Sequence, residues 1–502
     1  MSRGFAVRVL VPRLLAVAVL AAFAWTVPGV RRTLIHAVVT WDAPASEPAP
    51  LPGGTGPGLT RTPRTRVVLI DGLTAAVART LPTWRALCGQ GLTLTVEVGF
   101  PTVSLPVEVS LWTGLTQQQT GVVYRSNRPL EPPLGREGIP AQVPGSHAVA
   151  EYYGYIVRSL GFAQVEPAAD PTAPARDAAP AAWKLLWYLR AIEAVRSPSP
   201  LVFVHLLRVD SAGHKHGLGA GYERAAREAD VLLAGLHALD PGARWFVLSD
   251  HGHLAGGGHG GEEAPIRHVE GCITGAGITA GRGGLVHVVD ISRALADSVG
   301  ATLTPPARGR PLAAALATPL TAEQGLPPIA LGTGALAILG LALAIALTGW
   351  GVRRWWLGPW WFVIGLATLI AVAGLPSLST PMIYKPAGRD MYVMWLPALV
   401  LAAVGTWTGL RHTTLVRVLV AQLAVPLAAA AGALTIAGAW PALLGAEVAP
   451  VVPRFTAWAS PLLLIAAHGA AAVALGVLAS VVRRSSDRAA ASAPPRSAPA
   501  DA

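Results

Sequence analysis

Charged residues are scarce in this 502-residue sequence. Asp, Glu, Lys and Arg together make up 13% of it and hydrophobic residues 52%, and the mean hydropathy is +0.48. This composition is too apolar for an ordinary soluble protein. The net charge is +11, but many of the arginines flank apolar segments, where they set membrane orientation. No basic stripe is interleaved with aromatic residues, so we expect no nucleic-acid partner.

Long apolar runs are absent from the middle of the chain and frequent towards its two ends. A transmembrane helix needs about 20 mostly apolar residues. The windows that qualify are 13–30, 329–350, 355–377, 391–410, 415–440 and 456–482. Arginines accumulate on one side of these windows, which places both termini in the cytoplasm. The long segment after the first window is then extracytoplasmic, and the chain is predicted to be a multi-pass protein of the cytoplasmic membrane.

These windows predict five regions along the chain. They are an N-terminal anchor at 1–32, a linker at 33–64, an extracytoplasmic domain at 65–320, a five-helix transmembrane domain at 329–482 and a disordered cytoplasmic tail at 483–502. The first region has a second interpretation, a signal peptide cleaved near Ala22-Phe23-Ala24. The transmembrane domain contains almost no ionisable residues, which favours an anchor over a transporter.

Cysteine is the other scarce residue. The two cysteines, Cys88 and Cys272, both fall in the predicted extracytoplasmic domain. That location permits a disulfide. From the sequence, a disulfide and two separate buried thiols are equally acceptable interpretations.

Short β-rich runs alternate with helical segments in the extracytoplasmic domain. The runs are 66–70, 92–98, 201–207 and 245–250. Residues 73–90 have helical periodicity. This alternation predicts an α/β domain with a mostly parallel central sheet flanked by helices. Residues 128–181 carry many prolines and alanines and little periodicity, and we interpret them as an insertion or loop.

Three aspartates stand at or just after predicted strand ends: Asp71, Asp210 and Asp250. In an open α/β sheet, ligands gather at the carboxyl ends of the strands. Three histidines accompany the aspartates: His214, His251 and His259. Carboxylate and imidazole together suit zinc, with manganese as a second choice. One such residue alone is more often a helix cap or a solvated loop residue, but together they predict a metal site.

Five motifs in order resemble those of the alkaline-phosphatase superfamily. They are VVLIDG at 67–72, FPTVSLPVEVSLWTG at 100–114, HLLRVDSAGHKHG at 205–217, SDHGHLAGGGHGG at 249–261 and VVDISRALADSVGATLTPPARGRPL at 288–312. The resemblance covers roughly residues 65–315 and implies an alkaline-phosphatase-like α/β fold.

The resemblance also implies a nucleophile, Ser104, and two divalent metal ions, zinc or manganese. One ion would be held by Asp71, Ser104, Asp250 and His251, and the other by Asp210, His214 and His259. Ser104 precedes a predicted helix and has a second interpretation as a simple N-cap. Asn127 loosely matches an asparagine that contacts a phosphoryl oxygen, and a turn-forming asparagine is the alternative. His216 and His253 match no ligand position, which makes them supporting or solvent-facing residues.

These residues imply a phosphodiesterase or phosphatase that forms a phosphoserine-type intermediate on Ser104. The short spacing from Asp250 to His259 and the transmembrane layout are similar to the GPI ethanolamine-phosphate transferases. Transfer of a phosphoethanolamine-type group to an envelope lipid or glycan is therefore the alternative, and the phosphoester substrate would then be lipid- or glycan-linked. Sulfatases place an arginine where this chain has Glu108, which disfavours a sulfatase. The complete ligand set disfavours a non-catalytic transporter or binding protein.

Overall fold

A computed structural model describes the central part of the chain. The described residues are 51–52, 55–122, 138–152, 154–166, 180–261, 263–303 and 307–321, with a few positions between 484 and 492. All six predicted transmembrane windows lie outside these residues, and so does Asn127. Within the described ranges, no helix combines the length and the apolar character needed to cross a membrane.

One mixed sheet forms the centre of the domain. Its strands are β1 (Thr65–Ile70), β2 (Leu92–Glu97), β3 (His147–Ala150), β4 (Gln164–Glu166), β5 (Leu201–Leu206), β6 (Arg244–Leu248), β7 (His268–Gly275) and β8 (Gly281–His287). Their spatial order is β4-β3-β5-β1-β6-β7-β2-β8. Strand β7 pairs antiparallel with both neighbours, and every other pairing is parallel. The prediction of an α/β domain with a mostly parallel sheet is therefore confirmed.

Helices lie along the sheet and link its strands. They are α1 (Ala75–Ala78), α2 (Pro82–Gln90), α3 (Ser104–Thr113), α4 (Gln117–Thr120), α5 (Gly154–Ser159), α6 (Pro180–Arg196), α7 (Arg208–His216), α8 (Ala220–Leu239), α9 (Ala264–Arg267), α10 (Val288–Val299) and α11 (Leu312–Ala317). The helix that carries the predicted nucleophile, α3, ends at Thr113, and Gly114 follows with a φ of +73°. A glycine adopts this left-handed conformation without steric cost.

The interpretation of 128–181 as an insertion or loop is wrong for part of that segment. Its described residues include β3, α5 and β4, and both strands extend the parallel part of the sheet beyond β5. The two strands have only four and three residues. Runs this short give too little alternation to stand out among prolines and alanines.

The sheet is buried on both faces, and β1 shows this most directly. Val67 and Leu69 belong to the apolar core on the face covered by α3 and α10. Val68 and Ile70 belong to the core on the opposite face, covered by α2, α6 and α8. A strand buried on both sides has an unbroken apolar sequence in place of an alternating one.

The carboxyl ends of the central strands meet at one edge of the sheet. Ile70 at the end of β1 pairs with Leu206 at the end of β5, and Leu69 pairs with Leu248 at the end of β6. The chain segments that follow these three strands therefore start side by side. All three predicted ligand aspartates lie in those segments.

A disulfide bond joins Cys88 and Cys272. Cys88 lies in α2 and Cys272 lies in β7, with 5.3 Å between their Cα atoms. The bridge ties a helix to the antiparallel strand across 184 residues of sequence. Of the two interpretations that the sequence allowed, the disulfide is therefore the one found in the structure.

Loss of this bridge is expected to destabilise the domain. In the double variant Cys88→Ser/Cys272→Ser, we expect the free energy of unfolding to fall by about 2–5 kcal/mol, because a bridge that closes a long loop restricts the unfolded chain. Denaturant unfolding of the full chain, followed by tryptophan fluorescence, measures this. A reducing agent should destabilise the wild type to the same extent and leave the variant unchanged. Equal stability of variant and wild type would show that the bridge contributes nothing.

Candidate metal centre and nucleophile

The first group of site residues surrounds Ser104. Ser104 Oγ lies 3.3 Å from Asp71 Oδ1 and 3.3 Å from His251 Nε2. His251 Nε2 in turn lies 3.3 Å from Asp71 Oδ1 and 3.4 Å from Asp250 Oδ2. Ligand atoms around a tetrahedral zinc ion with bonds of about 2.0–2.1 Å lie about 3.3 Å apart. These four side chains are therefore spaced as the ligands of one ion.

Asp210, His214 and His259 form the second group. The Nε2 atoms of His214 and His259 are 3.0 Å apart. They lie 3.3 Å and 3.4 Å, respectively, from Asp210 Oδ1. The spacing again matches ligand atoms that share one ion. Both predicted ligand sets are thus brought together by the fold.

Ser104 occupies the first position of α3. The N-cap position belongs to Val103, and no side chain caps the helix. The interpretation of Ser104 as a simple N-cap is therefore wrong, and its hydroxyl is directed at Asp71 and His251 instead. The N-terminus of a helix favours negative charge, which helps both a serine alkoxide and phosphoryl oxygens.

Backbone carbonyls fix the protonation of two ligand histidines. His251 Nδ1 donates to the carbonyl oxygen of Gly252 at 3.1 Å. His259 Nδ1 donates to the carbonyl oxygen of Thr102 at 2.9 Å. A carbonyl oxygen only accepts, so each Nδ1 carries a proton, and Nε2 is the ring nitrogen of each histidine that could ligate a metal ion.

His253 has the opposite arrangement. The backbone N–H of Gly258 donates to His253 Nδ1 at 3.1 Å, so Nδ1 holds the lone pair. The proton is then on Nε2, which donates to Asp210 Oδ1 at 3.0 Å. In this arrangement His253 donates to Asp210 through Nε2, which favours the supporting role that the motif comparison implied. A Cβ at position Gly213 would lie 2.6 Å from His253 Nε2, so the ring needs glycine there.

Burial and neighbouring charges shift the pKa values of the first group. Burial raises the pKa of Asp250 to about 7, and the Asp71 carboxylate adds to the rise. Burial lowers the pKa of His251, but the carboxylates of Asp250 and Asp71 outweigh it and raise that pKa to about 10. At neutral pH a divalent ion must therefore displace a proton from this group. Binding of an ion here would release protons, and its affinity would fall as the pH falls.

The second group is shifted towards the state that binds metal. Burial, followed by the charge of His251, holds the pKa of His259 well below its ordinary value, so the imidazole is neutral. Burial opposes ionisation of Asp210, but His214 and the other two nearby imidazoles hold its pKa well below the usual range. An ionised carboxylate and a neutral imidazole are the forms that ligate zinc.

One carboxylate oxygen of the site lacks a hydrogen-bond donor. Asp250 Oδ2 is buried and accepts no hydrogen bond from the described residues. A buried acceptor without a hydrogen bond costs about 1–3 kcal/mol. A cation between Asp71, Asp250 and His251 would satisfy this oxygen, so the residues present fit a divalent ion.

Two buried residues next to the first group, His205 and Glu108, were not predicted as site residues from the sequence. His205 Nε2 donates to Asp71 Oδ2 at 3.0 Å and lies 3.3 Å from Glu108 Oε1. Burial raises the pKa of Glu108 to about 8. Burial lowers the pKa of His205, but Glu108 and Asp71 raise it to about 9. The sequence offered one signal for both residues, because each is an ionisable residue within an otherwise mostly apolar segment.

Asn127 and His216 are the other residues discussed from the sequence. Asn127 is outside the described residues, so its role as a phosphoryl contact stays a prediction. His216 is exposed to solvent at the end of α7. His216 is therefore the solvent-facing histidine of the pair that matched no ligand position.

Two of the three histidines next to Asp210, His253 and His259, are expected to respond differently to substitution. His259→Ala removes a ligand and is expected to weaken binding of one zinc ion by more than about 100-fold, since removing a group that only supports a ligand costs about 10–100-fold. His253→Gln keeps an N–H donor for Asp210 and is expected to change the affinity by less than about tenfold. Competition with a chromophoric chelator measures both affinities. The reverse order of effects would make His253 the ligand.

Among the known proteins compared with this chain, the similar ones were found among solved structures. No protein-family model matches the chain, and no curated protein does. Murine ectonucleotide pyrophosphatase/phosphodiesterase 5 is similar to the chain with a TM-score of 0.39 and 13% identity, covering 48% of this chain and 96% of that protein. A 2-O GAG sulfatase has a TM-score of 0.40 and 16% identity, with coverages of 53% and 76%.

A third similar structure is a protein in the alkaline phosphatase superfamily from Vibrio parahaemolyticus. Its TM-score is 0.38 and its identity 16%, and the alignment covers 58% of this chain and 78% of that one. This superfamily is the one that the five sequence motifs resemble. Because the identities and TM-scores are low, the activity of this chain is inferred from the residues of its site.

Proposed function

We propose that this chain is a membrane-anchored, two-metal phosphodiesterase or phosphatase that uses Ser104 as its nucleophile. The supporting observation is that Ser104 Oγ lies 3.3 Å from two atoms of the ligand set, Asp71 Oδ1 and His251 Nε2. A serine hydroxyl is a weak nucleophile at neutral pH and needs an activating group. Ligands of a divalent ion surround this hydroxyl, which favours activation by metal.

The proposed reaction is a double displacement at phosphorus. When bound, the two ions would favour the alkoxide of Ser104 and offset the charge on the phosphoryl oxygens. Ser104 Oγ attacks phosphorus, the bond to the leaving oxygen breaks, and the leaving group takes up a proton. Water then attacks phosphorus, Ser104 Oγ departs, and the hydroxyl regains its proton. The N-terminus of α3 stabilises the negative charge that develops beside it.

Zinc is the ion proposed for both groups, with manganese as the second choice. The first ion would be held by Asp71, Ser104, Asp250 and His251. The second ion would be held by Asp210, His214 and His259. Mixed carboxylate and imidazole ligands at tetrahedral spacing favour zinc over magnesium or calcium, which prefer oxygen ligands alone.

An extracytoplasmic site on a multi-pass membrane protein is part of the proposal. The arginine distribution around the apolar windows supports this orientation. The Cys88–Cys272 bridge supports it too, because disulfides persist in oxidising compartments outside the cytoplasm.

Metal-dependent hydrolysis of an artificial phosphodiester tests the proposal. The purified full chain in detergent should hydrolyse bis(p-nitrophenyl) phosphate, lose this activity on chelation, and regain it with zinc or manganese. A parallel assay with an aryl sulfate tests the sulfatase alternative. Hydrolysis that survives complete removal of metal would contradict the proposal.

Transfer to an alcohol is the second candidate function. It differs from hydrolysis only in the acceptor that removes the phosphoryl group from Ser104. The spacing of nine residues from Asp250 to His259, similar to the GPI ethanolamine-phosphate transferases, favours it. Mass spectrometry of envelope lipids and glycans from a deletion strain separates the two. Loss of a phosphoethanolamine-type substituent supports transfer, and accumulation of a soluble phosphoester supports hydrolysis.

A further inference from the structure

A histidine and a glutamate are buried behind the first group of ligands. His205 lies in β5 and Glu108 lies in α3, and the side chains of both are completely buried. Burying an ionisable group is unfavourable unless it is paired or hydrogen-bonded. The two residues lie next to each other and next to Asp71, so their chemistry has to be considered together.

The two oxygens of Asp71 have separate partners. Oδ1 faces the metal side, 3.3 Å from both Ser104 Oγ and His251 Nε2. Oδ2 faces away from it and accepts a hydrogen bond from His205 Nε2 at 3.0 Å. This contact engages the oxygen that would otherwise be free to turn towards the ion. The carboxylate is therefore held in one orientation, with a single oxygen presented to the metal.

Glu108 contacts His205 at the same ring nitrogen that donates to Asp71. Its Oε1 lies 3.3 Å from His205 Nε2. Neither carboxylate oxygen of Glu108 accepts a regular hydrogen bond from the described residues. The contact with His205 is thus the polar interaction that the structure gives this buried carboxyl group. It also restrains the ring that holds Asp71.

We propose that His205, supported by Glu108, is a positioning residue that fixes Asp71 so that it ligates its metal ion through Oδ1 alone. This inference rests on the proposed function, because it assumes a metal ion in the first group. Hydrogen-bonded partners of a ligand fix its orientation and raise the affinity of the site. Glu108 is completely buried and lies 3.3 Å from His205, which fits this supporting role.

A matched pair of variants at His205 tests the role. In His205→Gln, the side-chain N–H reaches about as far as Nε2 and can still donate to Asp71 Oδ2. In His205→Asn, the shorter amide keeps the polarity of the residue but cannot reach that oxygen. Zinc titration of the metal-free full chain against a chromophoric chelator gives two dissociation constants. We expect His205→Asn to raise one of these dissociation constants by about 10–100-fold. His205→Gln should keep most of the wild-type affinity.

Variants at two other positions complete the experiment. Glu108→Met removes the contact with the His205 ring and is expected to raise the same dissociation constant as His205→Asn. His287 provides the control, because it is buried and caps α10 away from the ligands. His287→Asn is expected to leave both dissociation constants unchanged. Circular dichroism shows whether each variant is folded, and the Gln variant keeps the test usable if the Asn variant is not.

Three results would overturn this inference. Unchanged zinc affinity in folded His205→Asn and Glu108→Met would show that Asp71 needs no such support. Affinity lost equally in His205→Gln and His205→Asn would show that reach to Asp71 does not matter. A third ion in the wild type, lost in Glu108→Gln, would show that Asp71, Glu108 and His205 form a cation site instead. A wild type that binds no divalent ion would overturn the proposed function as well.

Discussion

Replacing Ser104 with alanine is expected to abolish phosphodiester hydrolysis. We expect kcat to fall by about 10⁴-fold or more, in the range that loss of a covalent nucleophile costs other hydrolases. The hydroxyl caps no helix, so the fold should be retained. At saturating zinc both ions should still be bound, the first less tightly because it keeps three of its four proposed ligands. Steady-state kinetics with bis(p-nitrophenyl) phosphate measures the loss, and metal analysis checks that the ions remain.

Ser110 is the matched control for this experiment. It lies in the same helix and donates its hydroxyl to the carbonyl oxygen of Pro106 at 3.1 Å, away from the ligands. Ser110→Ala should keep kcat within a few-fold of the wild type. Quenching the wild-type reaction in acid should also trap phosphate on Ser104, detectable by peptide mass spectrometry. Full activity in Ser104→Ala would rule out this residue as the nucleophile.

The second large effect is expected from Asp210→Asn. Asp210 Oδ1 lies within 3.4 Å of three imidazole nitrogens, those of His214, His253 and His259. Loss of its charge should weaken the binding of one zinc ion by more than about 100-fold. Loss of a residue that only supports a ligand lowers metal affinity by about 10–100-fold, and a ligand should matter more. We expect hydrolysis to fall in parallel and to recover in part at high zinc concentration. Chelator competition and kinetics at several zinc concentrations measure the two effects.

Asp230→Asn is the control for loss of a buried carboxylate. Asp230 is also buried, but it accepts hydrogen bonds from the backbone N–H groups of Thr83 and Trp84 at the start of α2. Its substitution is expected to lower stability without changing zinc affinity. Equal zinc affinity in Asp210→Asn and Asp230→Asn would show that Asp210 is not a ligand.

Much of the site could be predicted because its ligands lie in short sequence motifs. Asp71 and Asp250 come directly after apolar strands or one residue later, and parallel strands place their carboxyl ends at one edge of a sheet. His214 follows Asp210 by four residues, which puts both on one face of α7. Local sequence and the rules of sheet topology were sufficient for these positions.

Other features required the three-dimensional structure because they join residues distant in the chain. The Cys88–Cys272 bridge spans 184 residues, and no spacing rule indicates such a pairing. The short strand β3 is stabilised by pairing with β5, and β4 by pairing with β3, more than by their own sequence. The same holds for His205, whose partners Asp71 and Glu108 come from a different strand and a helix.

His253 and His259 show most clearly what the sequence determines and what the tertiary structure adds. The sequence places both in one glycine-rich loop after Asp250, and the motif spacing selects His259 as the ligand. The tertiary structure supplies a physical reason for that choice: His259 Nδ1 donates to a carbonyl oxygen, whereas His253 Nδ1 accepts from a backbone N–H. The sequence by itself determined which side chains are available for metal chemistry. The tertiary structure decided where each ring proton lies, because the fold places the carbonyl oxygen of Thr102 against Nδ1 of His259 and the N–H of Gly258 against Nδ1 of His253.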